Sequence, residues 1–80
     1  MLTLNVFPRT RIDIVSQILE AANSGATRIK ILDVTFLSHV QLNEYLSMLV
    51  DNGLLDYELD EQFYRTTESG HRFLQTYATG

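Results

Sequence analysis

Ser38, His39, Gln41, Asn43, Glu44 and Ser47 fall within one short stretch of the chain. They occupy the positions left over when Leu42, Tyr45, Leu46, Leu49 and Val50 take an apolar stripe at i, i+3, i+4, i+7 and i+8. Their shared chemistry is hydrogen bonding. An Asn or Gln amide donates and accepts together, so it can pair bidentately with an adenine edge, while Ser and His adapt as donors or acceptors. Ser38, His39, Gln41 and Asn43 are therefore the candidates to face base edges. Glu44 would repel phosphate, although a carboxylate can accept from cytosine. Val40 could touch a thymine methyl or pack at a rim. Exposed Gln, Asn and Ser are equally what an ordinary solvated helix face carries.

The cations that could hold phosphate lie elsewhere. Arg28 and Lys30 stand near the start of the preceding helix, where a side-chain cation and the helix N-terminal amides can reach one phosphate. Arg65 leaves a predicted hairpin, and Arg9 and Arg11 flank the start of the first helix. As isolated surface charges they would only aid solubility.

Catalytic chemistry has little to build on. Ser38 and His39 are adjacent, which does not give a nucleophile and base the geometry of a triad. His39 and His71 are far apart, with no ligand-spaced carboxylate or histidine beside either, and no glycine-rich phosphate loop occurs. The chain reads as a non-enzyme with no cofactor and no metal site. Asp56, Glu58, Asp60 and Glu61 could offer oxygen ligands to Mg²⁺ or Ca²⁺, but no calcium-loop spacing supports that. A solvated face or a protein-docking surface is the plainer reading of the cluster.

The elements that position these residues can be placed from caps and periodicity. Residues 2–7 alternate apolar and polar at Leu2, Leu4 and Val6, as a short strand or arm over residues 1–8 would, before Pro8 breaks continuity. Thr10 with Asp13 makes a weak capping box for a first helix whose stripe is Ile12, Val15, Ile18, Leu19 and Ala22. Asn23-Ser24-Gly25 ends it, and Ala26-Thr27 is a minimal strand or a linker. Thr27 caps a second helix over about Arg28 to Val34. After a turn of three or four residues, Ser38 with Gln41 forms a capping box for the third helix, which Asn52-Gly53 stops. Leu55, Tyr57 and Leu59 alternate with acids as a half-buried strand does; Asp60-Glu61-Gln62 is the turn and Phe63–Thr66 the returning strand. Thr67 or Thr66 caps a last helix carrying Phe73, Leu74 and Tyr77. Helix, tight turn, helix, ribbon and helix between Thr27 and Phe73 describe an α+β winged helix-turn-helix. It has a three-helix core, a two-stranded wing, a C-terminal helix and a candidate N-terminal strand, over residues 9–80.

Bulk properties bound the function. At 80 residues the chain makes one small domain, burying only about 60–65% of its unfolded surface. No cysteine is present, which suits a reducing interior and a cytoplasmic location. No basic region followed by an apolar one follows Met1, so no signal peptide is expected, and no apolar run approaches a membrane span. The net charge of −4 is uneven: residues 51–80 carry Arg65 and Arg72 against six acids, while residues 1–50 balance. A phosphate binder usually gathers cations on one face; the cations here form at most a local patch.

The chain resembles the archaeal winged-helix transcriptional regulators that include the ten-kilodalton dimeric chromatin-type DNA-binding proteins. The resemblance covers about residues 9–77. It rests on Arg11 to Val15, Ile18 to Ala22, Gly25 to Ile29, Leu37-Ser38, Gln41-Leu42, Tyr45-Leu46, Leu49, Asn52 to Leu55, and the Tyr64 to Gly70 run with Phe73-Leu74. It implies a homodimer that binds double-stranded DNA, with the third helix in the major groove. Val40 and Asn43 stand where lysine is common in that group. Its members often dimerise through a long last helix. Here about a dozen residues precede Gly80, so a dimer would use Phe73, Leu74 and Tyr77 with Leu2, Leu4 and Val6 of the arm. The alternative is a protein-interaction module that uses the acidic wing, with weak or no DNA binding.

Overall fold

The computed structural model describes residues 10–77. The arm with Leu2, Leu4 and Val6, and Arg9, lie outside the described residues. The element order is α1 (Arg11–Ala21), α2 (Arg28–Thr35), α3 (His39–Asp51), β1 (Leu55–Glu58), β2 (Phe63–Thr66) and α4 (Glu68–Tyr77). This is the expected winged helix-turn-helix.

Each helix begins where a side chain can satisfy its free amides. Thr10 accepts from the Asp13 N–H at 3.1 Å, and Asp13 Oδ2 accepts from the Thr10 N–H at 3.1 Å. Thr27 Oγ1 takes the Lys30 N–H, and Thr67 Oγ1 takes the Gly70 N–H at 3.0 Å. Thr67, not Thr66, is thus the cap of α4. Thr66 is buried instead, and its hydroxyl donates to the Leu19 carbonyl at 2.7 Å. That bond satisfies a polar group that would be costly to bury unpaired.

α1 packs against α2 and α4, and α3 packs against β1. Val15, Ile18, Leu19 and Ala22 of the first helix region, Ile31 of α2, Leu42, Leu46 and Leu49 of α3, Leu55 of β1 and Leu74 of α4 form one apolar core. The choice left open for Ala26-Thr27 resolves to a single antiparallel bridge. Ala26 and Tyr64 exchange both backbone hydrogen bonds, each 2.8 Å, which ties the α1–α2 connection to β2.

The ribbon pairs Leu55 with Thr66, Asp56 with Arg65, Tyr57 with Tyr64 and Glu58 with Phe63. The expected half-buried strand through Leu59 needs correction. Only Leu55 is buried; Tyr57 is 43% exposed, and Leu59 is 76% exposed in a turn that spans residues 59–62. The ribbon has two strands, and its buried pair lies at the Leu55–Thr66 end, so alternation in sequence does not become alternation in burial. Ile12 and Val50, both placed on apolar stripes, are also partly exposed, at 42% and 38%. Each stands at the margin of its buried stripe, in the first turn of α1 and the last turn of α3.

α2 runs one residue further than expected, to Thr35, and Phe36 closes it at φ 57 with its side chain 85% exposed. A left-handed backbone costs an L-residue about 1–2 kcal/mol, which glycine avoids. Phe36→Gly is therefore expected to raise stability by about 1 kcal/mol in chemical denaturation, since little apolar burial is lost. A destabilised variant would show that the ring packs in solution.

Candidate nucleic-acid interface

The two edges of α3 are built differently. Its first turn is held by the box in which Ser38 Oγ accepts from the Gln41 N–H at 3.1 Å and Gln41 Oε1 accepts from the Ser38 N–H at 3.2 Å. Two of the four sequence-chosen base readers thus have side-chain oxygens engaged in starting the helix. Gln41 also lies, by helical period, on the edge shared with Tyr45 and Met48. Those two line a hollow with Arg11 and Glu44 and so face the α1 side. His39 and Asn43, one turn apart, lie along the other edge, toward α2.

That second edge holds a polar group tied by four hydrogen bonds. The Arg28 guanidinium crosses from the start of α2 to α3. Its Nε–H and one Nη2–H donate to Asn43 Oδ1 at 3.2 and 2.7 Å. Another Nη2–H donates to the His39 carbonyl at 3.2 Å, and an Nη1–H donates to His39 Nδ1 at 2.9 Å. Four of the five guanidinium N–H groups are thereby engaged. One N–H of Arg28 remains, and the fork that would grip a phosphate bidentately is closed on α3. The sequence signal for this link was weak, because partners 11 and 15 residues apart cannot be matched from spacing alone.

Lys30 is exposed and lines an open cleft of about 500 Å³ between α1 and α2, with Ser16, Gln17, Glu20, Ala21 and Val34. Arg65 is exposed on the wing, where its guanidinium lies 5.0 Å over the Phe63 ring and its backbone pairs opposite Asp56. A cation on an aromatic face is held in place, but Asp56 beside it weakens its pull on an anion. On the outer ridge of α3, opposite the buried Leu42, Leu46 and Leu49, helical period sets Val40, Glu44 and Ser47. Val40 is 68% exposed, so it is not rim packing.

A hollow of about 370 Å³ separates the start of α2 from the wing, lined by Arg28, Ile29, Tyr57, Gln62 and Tyr64 among others. The Tyr57 and Tyr64 rings stand 4.8 Å apart. Burial, then the neighbouring Tyr57, push the Tyr64 hydroxyl above its ordinary range, while Arg28 pulls it down. The phenol stays neutral at physiological pH. Sequence reasoning missed Ile29, 67% exposed here, and Phe36 in the turn. Both are apolar, and only the packed helix pair shows that their side chains miss the core.

At the C-terminal end, Phe73 and Tyr77 stack with ring centroids 4.6 Å apart. Leu74, expected at a dimer face, is instead 8% exposed within the core cluster, because α4 turns that side toward α1. It is not available to a partner. Among the described residues no group of three or more His, Asp or Glu is arranged to hold a metal, and no helix is long and apolar enough to cross a membrane.

No curated protein matches the chain. The family model described as winged helix-turn-helix matches it over residues 8–79. Domains of this kind typically bind DNA and are not enzymes. With helix pair, turn and wing all in place, the chain belongs to the winged helix-turn-helix family.

Proposed function

We propose that the protein is a cytoplasmic transcriptional regulator that reads duplex DNA with α3 in the major groove, as a homodimer of the archaeal type its sequence resembles. The observation that carries this reading is the Arg28–His39–Asn43 group, which orders polar side chains along an exposed edge of α3. A helix edge that served only as a solvated face would not need its side chains fixed. His39 and Asn43 face base edges; Lys30 and Arg65 hold phosphates. Phe73 and Tyr77 supply the part of the dimer surface that lies among the described residues.

Each phosphate neutralised contributes about 0.9 to the slope of log affinity against log salt. Two phosphates per protomer give a slope of about −2 for a single domain and about −4 for a dimer. Duplex titration between about 50 and 200 mM salt is therefore expected to lose roughly tenfold for one domain and over a hundredfold for two. Sedimentation of the chain separates the two cases.

The wing supports a second reading. Asp56, Glu58, Asp60 and Glu61 are all exposed on or beside the ribbon tip, where they oppose a polyanion. In that reading the wing binds a basic protein surface and duplex affinity is absent even at low salt.

A further inference from the structure

We propose that Arg28 is a positioning residue that makes the reading edge of α3 a donor-only surface, and that this surface selects guanine. The inference rests on the duplex-binding reading above and adds the class of base recognised. Arginine has no acceptor and does not lose its proton in proteins. Its 2.9 Å bond to His39 Nδ1 therefore requires Nδ1 to accept, which leaves the imidazole neutral with its proton on Nε2. The two bonds into Asn43 Oδ1 occupy both lone pairs of that oxygen and fix the amide orientation, so the NH₂ points away from Arg28. What remains for a ligand is the His39 Nε2–H, the Asn43 NH₂ and one Arg28 N–H. All are donors.

That set has a distinct reading in the major groove. The usual asparagine–adenine pair needs the amide oxygen to accept from adenine N6 while the nitrogen donates to N7. Here the oxygen is taken, so the pair cannot form without breaking the Arg28 bonds. Guanine alone presents two acceptors, N7 and O6, on one base edge. A phosphate-clamp role for Arg28 makes the opposite forecast, because it predicts loss of affinity without change of sequence preference.

The test is selection of bound duplexes from a random pool by the wild-type chain and by Arg28→Lys and Arg28→Met, with the salt slope measured for each. Lysine keeps the charge but has one nitrogen in place of the planar fork that makes the four bonds to Asn43 and His39. The wild-type motif is expected to carry guanine at the contacted positions. Both variants are expected to lose that preference by about tenfold and to gain adenine opposite Asn43, and Arg28→Lys is expected to keep the wild-type salt slope. A wild-type motif without guanine, or a guanine motif unchanged in Arg28→Lys, overturns the inference and leaves the duplex-binding reading standing. No enriched motif and no salt-dependent binding by the wild type removes that reading, and the base class with it. The ¹⁵N shifts of the free wild-type chain test the positioning alone, without any variant that must fold: His39 protonated on Nε2 is expected, and a proton on Nδ1 at pH 8 overturns it.

Discussion

Gly70→Ala is expected to destabilise the domain by about 3 kcal/mol or more, lowering the melting temperature by roughly 15 °C. An added Cβ at Gly70 would overlap the Leu54 carbonyl oxygen and Thr66 Cγ2. Neither neighbour can yield cheaply. The Leu54 carbonyl accepts from the Thr67 N–H at 3.1 Å, and the Thr67 hydroxyl that caps α4 donates to the Gly53 carbonyl at 2.6 Å. Thr66 is buried with its hydroxyl on Leu19. Moving α4 away from the clash would pull on all three bonds and on Leu74. Alanine's better helix propensity returns only about 1 kcal/mol. The loss is a large share of the roughly 4–12 kcal/mol that a chain of this length holds in total. Gly53→Ala is the matched control. Gly53 has φ 75 with nothing within 4 Å of its added Cβ, so the variant meets only backbone strain of about 1 kcal/mol. Urea unfolding of both measures the difference, and a Gly70→Ala midpoint equal to that of Gly53→Ala would show that α4 moves freely.

The same close approach accounts for the Thr67-x-x-Gly70 part of the run that starts at Tyr64. Thr67 caps α4 through its hydroxyl and Gly70 admits the α3–β1 connection, so those two residue types are dictated by their contacts, whereas Tyr64 bridges Ala26 through backbone alone. Helix starts were legible for that reason too. Thr10 with Asp13, Thr27, and Ser38 with Gln41 act over three residues, within reach of a sequence pattern. The wing's burial was not legible, because period two reports a strand and not whether a second layer covers it. Tyr57 and Leu59 alternate correctly and still face outward. Arg28 was hidden for a different reason. Its charge suggested phosphate, and only the approach of α2 to α3 offers it His39 and Asn43. The residues that meet at this edge were therefore legible as candidates, and their hydrogen bonding was not. The long-range bonds that separate roles are the ones that spacing cannot show.

Glu44→Lys is expected to raise affinity for random-sequence duplex about tenfold at 0.1 M salt and to steepen the salt slope by about one unit. Glu44 sits on the outer ridge of α3 between Val40 and Ser47, the part of the helix that enters the groove if the proposed docking is correct. Its carboxylate stands against the phosphate field, and a lysine there can release a counterion in its place. One added phosphate contact at this ionic strength accounts for a factor of about eight, and lifting the repulsion adds to it. Net charge alone would also favour binding, so the comparison is Glu68→Lys, which makes the same change of two units on α4, away from the residues assigned to DNA. Glu68 is exposed in the first turn of its helix, where exchanging an anion for a cation costs about 1 kcal/mol, so that variant should still fold. Equal gains from the two variants would mean that overall charge governs and that α3 has no special place. A gain confined to Glu44→Lys places the ridge against DNA. An acidic chain could then meet a polyanion through an edge whose one charge is the Arg28 cation, with most of its surplus negative charge on and around the wing.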